Sequence, residues 1–154
     1  IYQLTDGQVT GSRLMYHPLL ILGFSVYDQP AAKTAKALTI LNFDLEKAYQ
    51  RDYNGKKVYV VGALEGDESS NQFWIDKETL LFVRMIQNFG NGRNQDVHFN
   101  KYEKLGGGWV ATEVKFYTDN KLRLLEVYSN IKSPEHISNK AFEPKNFTEA
   151  KWLP

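Results

Sequence analysis

The sequence predicts a mainly β fold with a small α part, built around an antiparallel sheet of six or more strands. Three observations favour this class. Aromatic residues make up 14% of the chain, and they are typical of pleated, half-buried surfaces. From residue 48 onward, apolar residues recur with the period of two that indicates strands. Turn residues separate these segments at short intervals, which indicates consecutive antiparallel strands.

The N-terminal part of the chain predicts a hairpin followed by helices. Two short strands flank a turn dipeptide: residues 1–5, Asp6-Gly7 and residues 8–16. Pro18 then favours the first turn of a short helix, which Gly23 closes. A longer helix is predicted over residues 30–42, where apolar side chains recur at helical spacing.

The remaining chain predicts a meander of six or seven strands. The candidate segments are residues 48–53, 56–64, 71–76, 80–88, 96–104, 109–117 and 122–131. Asn54-Gly55, between the first two segments, is the strongest short signal for a hairpin turn. Residues 132–154 contain prolines and many polar residues and predict a turn-rich tail. Since no internal repeat or linker interrupts the chain, a single domain over residues 1–154 is predicted.

Two of the predicted strands are apolar on both faces. Residues 58–64 and 80–86 place apolar side chains at successive positions, whereas residues 110–116 alternate between apolar and polar ones. A strand with two apolar faces needs a cover on each of them. The second cover is the helical segment over residues 16–42, a bound apolar ligand or a partner chain, and the sequence alone leaves these three open.

Charge and composition exclude several classes of function. The formal net charge is +1, without the basic excess of a nucleic-acid-binding protein, so no nucleic-acid partner is predicted. No apolar run approaches the roughly 20 residues of a membrane-spanning helix, so no membrane span is predicted. Cysteine is absent, which excludes disulfides, thiolate metal sites and cysteine nucleophiles.

The sequence carries no recognisable catalytic or metal-binding motif. His17, His98 and His136 are too far apart for a metal-binding spacing. His98 lies between two apolar residues of a predicted strand, and we expect its side chain to face solvent. The Gly106-Gly107-Gly108 run precedes a strand rather than a helix, unlike a phosphate-binding loop. We therefore predict no enzymatic activity, no catalytic residue, no metal and no cofactor.

Arg84 is the charged residue of an otherwise apolar strand. Alternation places it on the same face as Phe82 and Ile86. A buried arginine needs a carboxylate or carbonyl partner. Three interpretations remain open at this stage: a side chain that reaches solvent at a sheet edge, a pair with Asp76 or Glu113, or a contact with the polar head of a ligand.

Seven strings of the sequence, spread over roughly residues 17–145, resemble a known family. They are HPLLILGF at residues 17–24, FDL at 43–45, GKKVYVVGA at 55–63, QFWIDKETL at 72–80, LFVR at 81–84, YSNI at 128–131 and FEP at 142–144. In this order they are similar to the LolA/LolB-like outer-membrane lipoprotein-sorting superfamily. The resemblance implies a strongly curved, unclosed half-barrel with a helical plug. Only residues 1–16 precede the helical segment, so it implies either the C-terminal part of such a domain or a shortened relative.

The same resemblance implies a periplasmic or cell-envelope location and an apolar concavity that carries lipoprotein acyl chains. Together with the two-faced strands, it predicts a non-catalytic binding module for a lipid, an acyl chain or a lipoprotein. The predicted groove is lined by Tyr59, Val61, Trp74, Phe82, Met85, Leu20, Leu22 and Phe24, with Arg84 at its polar mouth. The alternative is a structural or interaction domain whose curved sheet docks another protein chain.

An open sheet edge predicts one further partner. Residues 1–4 (IYQL) are mostly apolar, and the first basic residue of the chain is Arg13. Such an edge lacks the charges that usually prevent strand pairing between chains. A homodimer through this edge is therefore an expectation.

Overall fold

The computed structural model describes residues 1–90 and 92–147. The chain forms two compact units, a small one that combines Ile1–Tyr16 with the residues after Ile131, and a main one, His17–Ile131. Strands account for 43% of the structure, so the predicted mainly β class with a small helical part is confirmed. Residues 148–154 of the predicted tail lie outside the described residues.

The small unit contains a hairpin and two short turns of 3₁₀ helix. Strand β1 (Tyr2–Thr5) pairs antiparallel with strand β2 (Gln8–Ser12), as predicted. The 3₁₀ turns are Asn139–Phe142 and Pro144–Asn146. The apolar edge predicted at residues 1–4 therefore falls in a hairpin that is separate from the main sheet.

Two short helices open the main unit. Helix α1 is Pro18–Gly23, with its proline in the first turn, and helix α2 is Ala31–Ile40. A 3₁₀ turn, Ser25–Tyr27, lies between them. The predicted helix over 30–42 is shorter than expected because the chain reverses at Asn42, whose φ is 63°. None of the described helices is long and apolar enough to cross a membrane.

The rest of the main unit is one antiparallel meander. Its strands are β3 (Ala48–Tyr53), β4 (Lys56–Val61), β5 (Gln72–Asp76), β6 (Phe82–Asn88), β7 (Asn94–Leu105), β8 (Gly108–Thr118) and β9 (Lys121–Val127). Each strand pairs with the next one along the chain. Within the described residues, β3 and β9 each pair with a single neighbour, so the sheet is not closed into a barrel.

Two strands are shorter than predicted because the backbone adopts a left-handed conformation at their ends. β4 ends at Val61 because Gly62 has a φ of 110°, and a Cβ added there would lie 2.3 Å from the carbonyl oxygen of Asn71. β6 begins two residues late because Leu80 has a φ of 58°. Period-two patterning does not report such local backbone reversals.

The type of the turn between β3 and β4 can be tested by substitution. Asn54 and Gly55 both have positive φ, 50° and 76°, as a type I′ turn requires. We expect Gly55→Val to lower the free energy of unfolding by about 1–2 kcal/mol, because a β-branched residue is strained in this conformation. Lack of space is not the cause, since no atom lies within 4 Å of the added Cβ.

The matched control for this turn is Gly107→Val, in the loop between β7 and β8. Gly107 also has open space around it but no positive φ. Its substitution should change the free energy of unfolding by less than about 0.5 kcal/mol in chemical denaturation. Equal losses in the two variants would show that backbone conformation at Gly55 is not what the substitution disturbs.

Apolar side chains cover both faces of the central strands, as the sequence predicts. The face that we call the helix face carries the larger cluster, which includes Phe73, Phe82, Met85, Val97 and Val114. The opposite face, which we call the outer face, carries a smaller cluster of Val58, Val60 and Trp74. The central strands therefore lie between two separate apolar layers.

The two helices cover the helix face. Ile21 and Leu22 of α1 and Ala37 and Leu38 of α2 are buried in the same cluster as the sheet residues. Of the three covers that the sequence left open, the helical segment is the one that packs over Phe82. This packing seals the centre of the sheet, so any groove on the helix face must lie beside the helices.

Candidate functional site

Five of the residues predicted to line a groove pack on the helix face around the protein core. Phe82, Met85 and Leu22 are almost completely buried, and Val61 packs against their cluster. Tyr59 pairs with Ile75 on the same face and is half-buried. The structure therefore brings these side chains together, but as closely packed core rather than as the wall of an open groove.

Trp74 and Arg84 lie on the outer face instead. Trp74 is paired with Arg84, and the next pair joins Ile75 to Phe82, so Val83 is an extra residue in β6. Such a bulge shifts the alternation by one position. The predicted placement of Arg84 on the face of Phe82 is therefore wrong, because the two side chains leave the sheet on opposite sides.

Arg84 forms a two-point ion pair across the outer face. Its Nε and Nη2 atoms lie 2.9 Å and 2.7 Å from the two carboxylate oxygens of Asp96. Its guanidinium carbon lies 4.3 Å from the centre of the Trp74 ring. The predicted pairing of Arg84 with Asp76 or Glu113 is wrong, since neither residue contacts Arg84 in the described structure.

The ion pair sets the charge states of its members. Burial alone would lower the pKa of Arg84, but the hydrogen bonds and charge of Asp96 outweigh it and raise that pKa. Burial likewise acts to raise the pKa of Asp96, and its contacts with His98 and Arg84 lower it instead. Both groups are therefore charged near neutral pH.

His98 extends this cluster. The prediction that its side chain faces solvent is wrong. Its Nδ1 atom lies 3.1 Å from the hydroxyl of Tyr53. Its Nε2 atom lies 2.9 Å from a carboxylate oxygen of Asp96, but outside hydrogen-bond geometry. These contacts could not be predicted from the sequence, because they depend on the register that pairs His98 with Arg84.

Tyr53, His98 and Asp96 adjoin one another in series, but they do not form a proton relay, because the contact between His98 Nε2 and Asp96 lies outside hydrogen-bond geometry. Tyr53 is also not activated as a nucleophile. Burial raises the pKa of Tyr53. A phenol that attacks a substrate needs a pKa lowered toward neutrality. We therefore interpret this outer-face cluster as a buried polar network that holds β3, β6 and β7 in register.

An open apolar groove lies on the helix face beside α1. We call it the α1 groove; its volume is about 380 Å³, and it is bordered by α1 and by strands β7, β8 and β9. Leu20 and Phe24 form its helical side, and Val114 contributes to the sheet side. Trp109 and Tyr128 also line it, and all four of its large rim side chains are exposed.

The α1 groove contains only part of the predicted lining. Leu20 and Phe24 belong to it, whereas the predicted sheet residues of β4 to β6 do not. The predicted walls lie on the strands with two apolar faces, which the helices in fact cover. Trp109, an aromatic residue at the start of an amphipathic strand, is the sequence signal that could have indicated the groove.

A second cleft lies where β7 diverges from β6. We call it the polar cleft because charged and amide side chains line part of it. The pairs between these strands end at Arg84 and His98, so the following residues of β7 diverge from the start of β6. The polar cleft has a volume of about 370 Å³. Its polar lining is Asn54, Lys56, Asp76, Thr79, Asn100 and Lys101.

Asp76 is the carboxylate of the polar cleft, and its oxygens are already bonded. One oxygen accepts hydrogen bonds from the backbone N–H groups of Glu78 and Thr79, and the other lies 2.9 Å from Lys56 Nζ. Burial acts to raise the pKa of Asp76, but these hydrogen bonds outweigh it and lower the pKa to about 2. Asp76 therefore stays ionised and shapes the turn between β5 and β6.

Lys101 lines the polar cleft at an irregular position of β7. Strict alternation from Val97 and Phe99 would direct residue 101 toward the core, but its φ is 52° and Tyr102 packs against the core instead. Lys101 is left unpaired opposite Thr112, with no extra residue in either strand, and the Thr112 hydroxyl donates a hydrogen bond of 2.8 Å to the Lys101 carbonyl. Lys101 Nζ lies 2.6 Å from Glu113 Oε2.

Backbone strain concentrates at this cleft. Leu80 and Lys101 have φ of 58° and 52°, and among the described residues they are the only positive-φ residues other than Gly, Asn and Asp. Lys101 lines the cleft, and Leu80 lies between two residues that line it. Such conformations are uncommon for bulky side chains and cluster at ligand-binding sites.

In the part of the chain that the structure describes, no three His, Asp or Glu side chains are placed to hold a metal ion together. No family model, curated protein or solved structure matches this chain. The resemblance to the LolA/LolB-like superfamily therefore stays an expectation based on sequence strings. The two cavities and the outer-face cluster are what remain as a basis for function.

Proposed function

We propose that this protein is a non-catalytic module that binds an acyl chain or a similar apolar ligand in the α1 groove. The observation that carries the proposal is the exposure of large apolar side chains around one cavity. Leu20, Phe24, Trp109 and Tyr128 all line the groove and are all substantially exposed. Exposed apolar groups that converge on a concave surface are typical of ligand-binding grooves.

The size and chemistry of the groove suit a single hydrocarbon chain. A volume of about 380 Å³ lies at the lower end of the range for small-molecule sites. Each methylene group transferred from water into such a groove contributes about 0.8 kcal/mol, so even half of a 14-carbon chain would give a useful affinity. A periplasmic or cell-envelope location is part of the proposal and depends on the sequence resemblance alone.

A neutral fluorescent probe tests this proposal. We expect N-phenylnaphthylamine, which carries no charge, to bind with a micromolar dissociation constant and a gain in fluorescence. Leu20→Asp should weaken the binding at least about tenfold, because it places a charge on the apolar side of the groove. Since Leu20 is 56% exposed, this substitution should leave the fold intact.

The matched control is Leu64→Asp, which makes the same change at a residue that is 63% exposed and far from the groove lining. It should bind the probe like the parent protein. Equal loss in the two variants, or no probe binding at all, would contradict the proposal. Absence of binding would instead favour the second candidate function, an interaction domain.

A specific feature of β9 supports that second candidate. Leu122, Leu124, Leu125 and Val127 are all exposed on this strand, which pairs with β8 alone among the described strands. An apolar edge strand of this kind can pair with a strand of another chain, including a second copy. The homodimer expected from the sequence would then use the edge at β9 rather than residues 1–4.

A further inference from the structure

The polar cleft and the α1 groove share part of their walls. Phe99, Tyr102 and Trp109 line both of them. The groove is mainly apolar, with Glu126 as its one acidic side chain, whereas the cleft adds two lysines, two asparagines, a threonine and one carboxylate to an apolar surface of Val58, Leu81 and Val83. An apolar cavity that adjoins a polar one through common aromatic side chains matches the two ends of an amphiphile.

The charges at the cleft favour an anionic head group. Its lining includes Lys56, Lys101 and Asp76, an excess of one positive charge. The oxygens of Asp76 are occupied by two backbone N–H groups and by Lys56. A carboxylate whose acceptors are already used offers little to a ligand, while each lysine ammonium keeps two of its three donors.

Of the two lysines that line the cleft, Lys101 is the one placed to contact such a head group. It shares Glu113 with Lys115, so this single carboxylate faces two ammonium groups and leaves one positive charge uncompensated. The side chain of Lys101 is two-thirds exposed although its partner Glu113 is buried. The left-handed backbone at Lys101 breaks the alternation of β7, and Lys101 lines the cleft beside Tyr102, which lines both cavities.

We infer that the ligand of this protein is an anionic single-chain amphiphile, with its chain in the α1 groove and its carboxylate or phosphate head against Lys101 in the polar cleft. This inference rests on the proposed function, since it assigns the polar end of the same ligand. Unlike binding at a purely apolar site, it requires that, among ligands of equal chain length, those with a negatively charged head group bind more tightly.

Competition against N-phenylnaphthylamine tests the inference at pH 8, where a carboxylate is ionised. The competitors share a 14-carbon chain and differ in the head: myristate, tetradecyl phosphate and the neutral tetradecanol. We expect at least one of the two anions to bind about tenfold more tightly than tetradecanol, and this advantage should shrink in high salt. The tighter of the two anions identifies the head group.

Lys101→Met removes the charge and keeps most of the apolar stem. It should abolish the advantage of the anions and leave the affinity for tetradecanol unchanged. The matched control is Lys57→Met, which removes a similarly exposed lysine that is paired with Asp52 and does not line the cleft. This control should retain the preference for the anion.

The outcomes separate this inference from the proposed function. Equal binding of all three competitors, or equal loss of selectivity in both lysine variants, would overturn the anionic head and leave the apolar groove standing. Failure of the neutral probe to bind would overturn the proposed function and the inference with it. The salt dependence tests the charge preference in the parent protein and needs no variant.

Discussion

Phe82→Ala is expected to lower the free energy of unfolding by about 3–5 kcal/mol, through lost burial and through the cavity that remains. The Phe82 ring has no exposed surface, and it meets the ring of Phe99 edge-to-face at a centroid distance of 4.8 Å. Helices on one side and strands on the other limit how far the site can collapse. Equilibrium unfolding in urea measures the loss.

The control for this substitution is Phe89→Ala, where the ring is 60% exposed. It removes the same atoms from a surface position, and we expect a change below about 0.5 kcal/mol. A loss below about 1 kcal/mol for Phe82→Ala would mean that the helices do not seal the sheet. In that case Phe82 would belong to the groove, as the sequence first suggested.

Local patterns explain why the strand order could be predicted from the sequence. Each hairpin carries its own turn signal, such as Asn54-Gly55, and the period-two segments between turns match the observed strands to within a few residues. Consecutive antiparallel strands need no long-range information beyond these signals. The helices could be predicted for the same reason, since Pro18 and the apolar spacing of α2 are local.

The candidate site depends on features that leave no periodic signal. One extra residue in β6, Val83, moves Arg84 to the outer face. In β7 the left-handed backbone at Lys101 breaks the alternation and places Tyr102, rather than residue 101, against the core. A shift of one residue reverses every later side chain, so alternation alone misplaces them. The groove in turn depends on where α1 packs, which is decided by tertiary contacts of Ile21 and Leu22.

The ion pair between Arg84 and Asp96 should show the second large effect. Either single substitution, Arg84→Met or Asp96→Asn, is expected to cost up to about 3–5 kcal/mol, because a largely buried charge loses its main partner. Arg84 then keeps only Glu68, at 3.6 Å, and Asp96 keeps only His98. The two side chains are only 12% and 20% exposed, so solvent screens them weakly. Methionine keeps an apolar stem to pack over Trp74, which limits the loss to the charge itself.

A double-mutant cycle isolates the interaction between these two residues. The double variant should lose less stability than the sum of the single losses, by about 1–3 kcal/mol, since it leaves neither charge unpaired. Strictly additive losses would show that the pair contributes nothing beyond its separate contacts. His98 also adjoins Asp96, and Glu68 adjoins Arg84, so the cycle measures the interaction between Arg84 and Asp96 with both of these neighbours in place.

The pH dependence of the free energy of unfolding of the Arg84→Met variant shows whether Arg84 stabilises the protein through its charge. In the parent protein the pKa of Asp96 is lowered on folding, so its contribution to stability is present above the unfolded pKa of about 3.9 and is lost as the pH falls below it. Without Arg84, the pKa of Asp96 should rise from its value in the parent protein, because His98 is then the one remaining partner that opposes the effect of burial, and protonation relieves the weakly paired charge. The difference in stability between parent and variant should therefore be largest near pH 7 and smaller near pH 4.

A difference that stays constant across this range would mean that Arg84 stabilises the outer face by packing over Trp74 rather than by its charge.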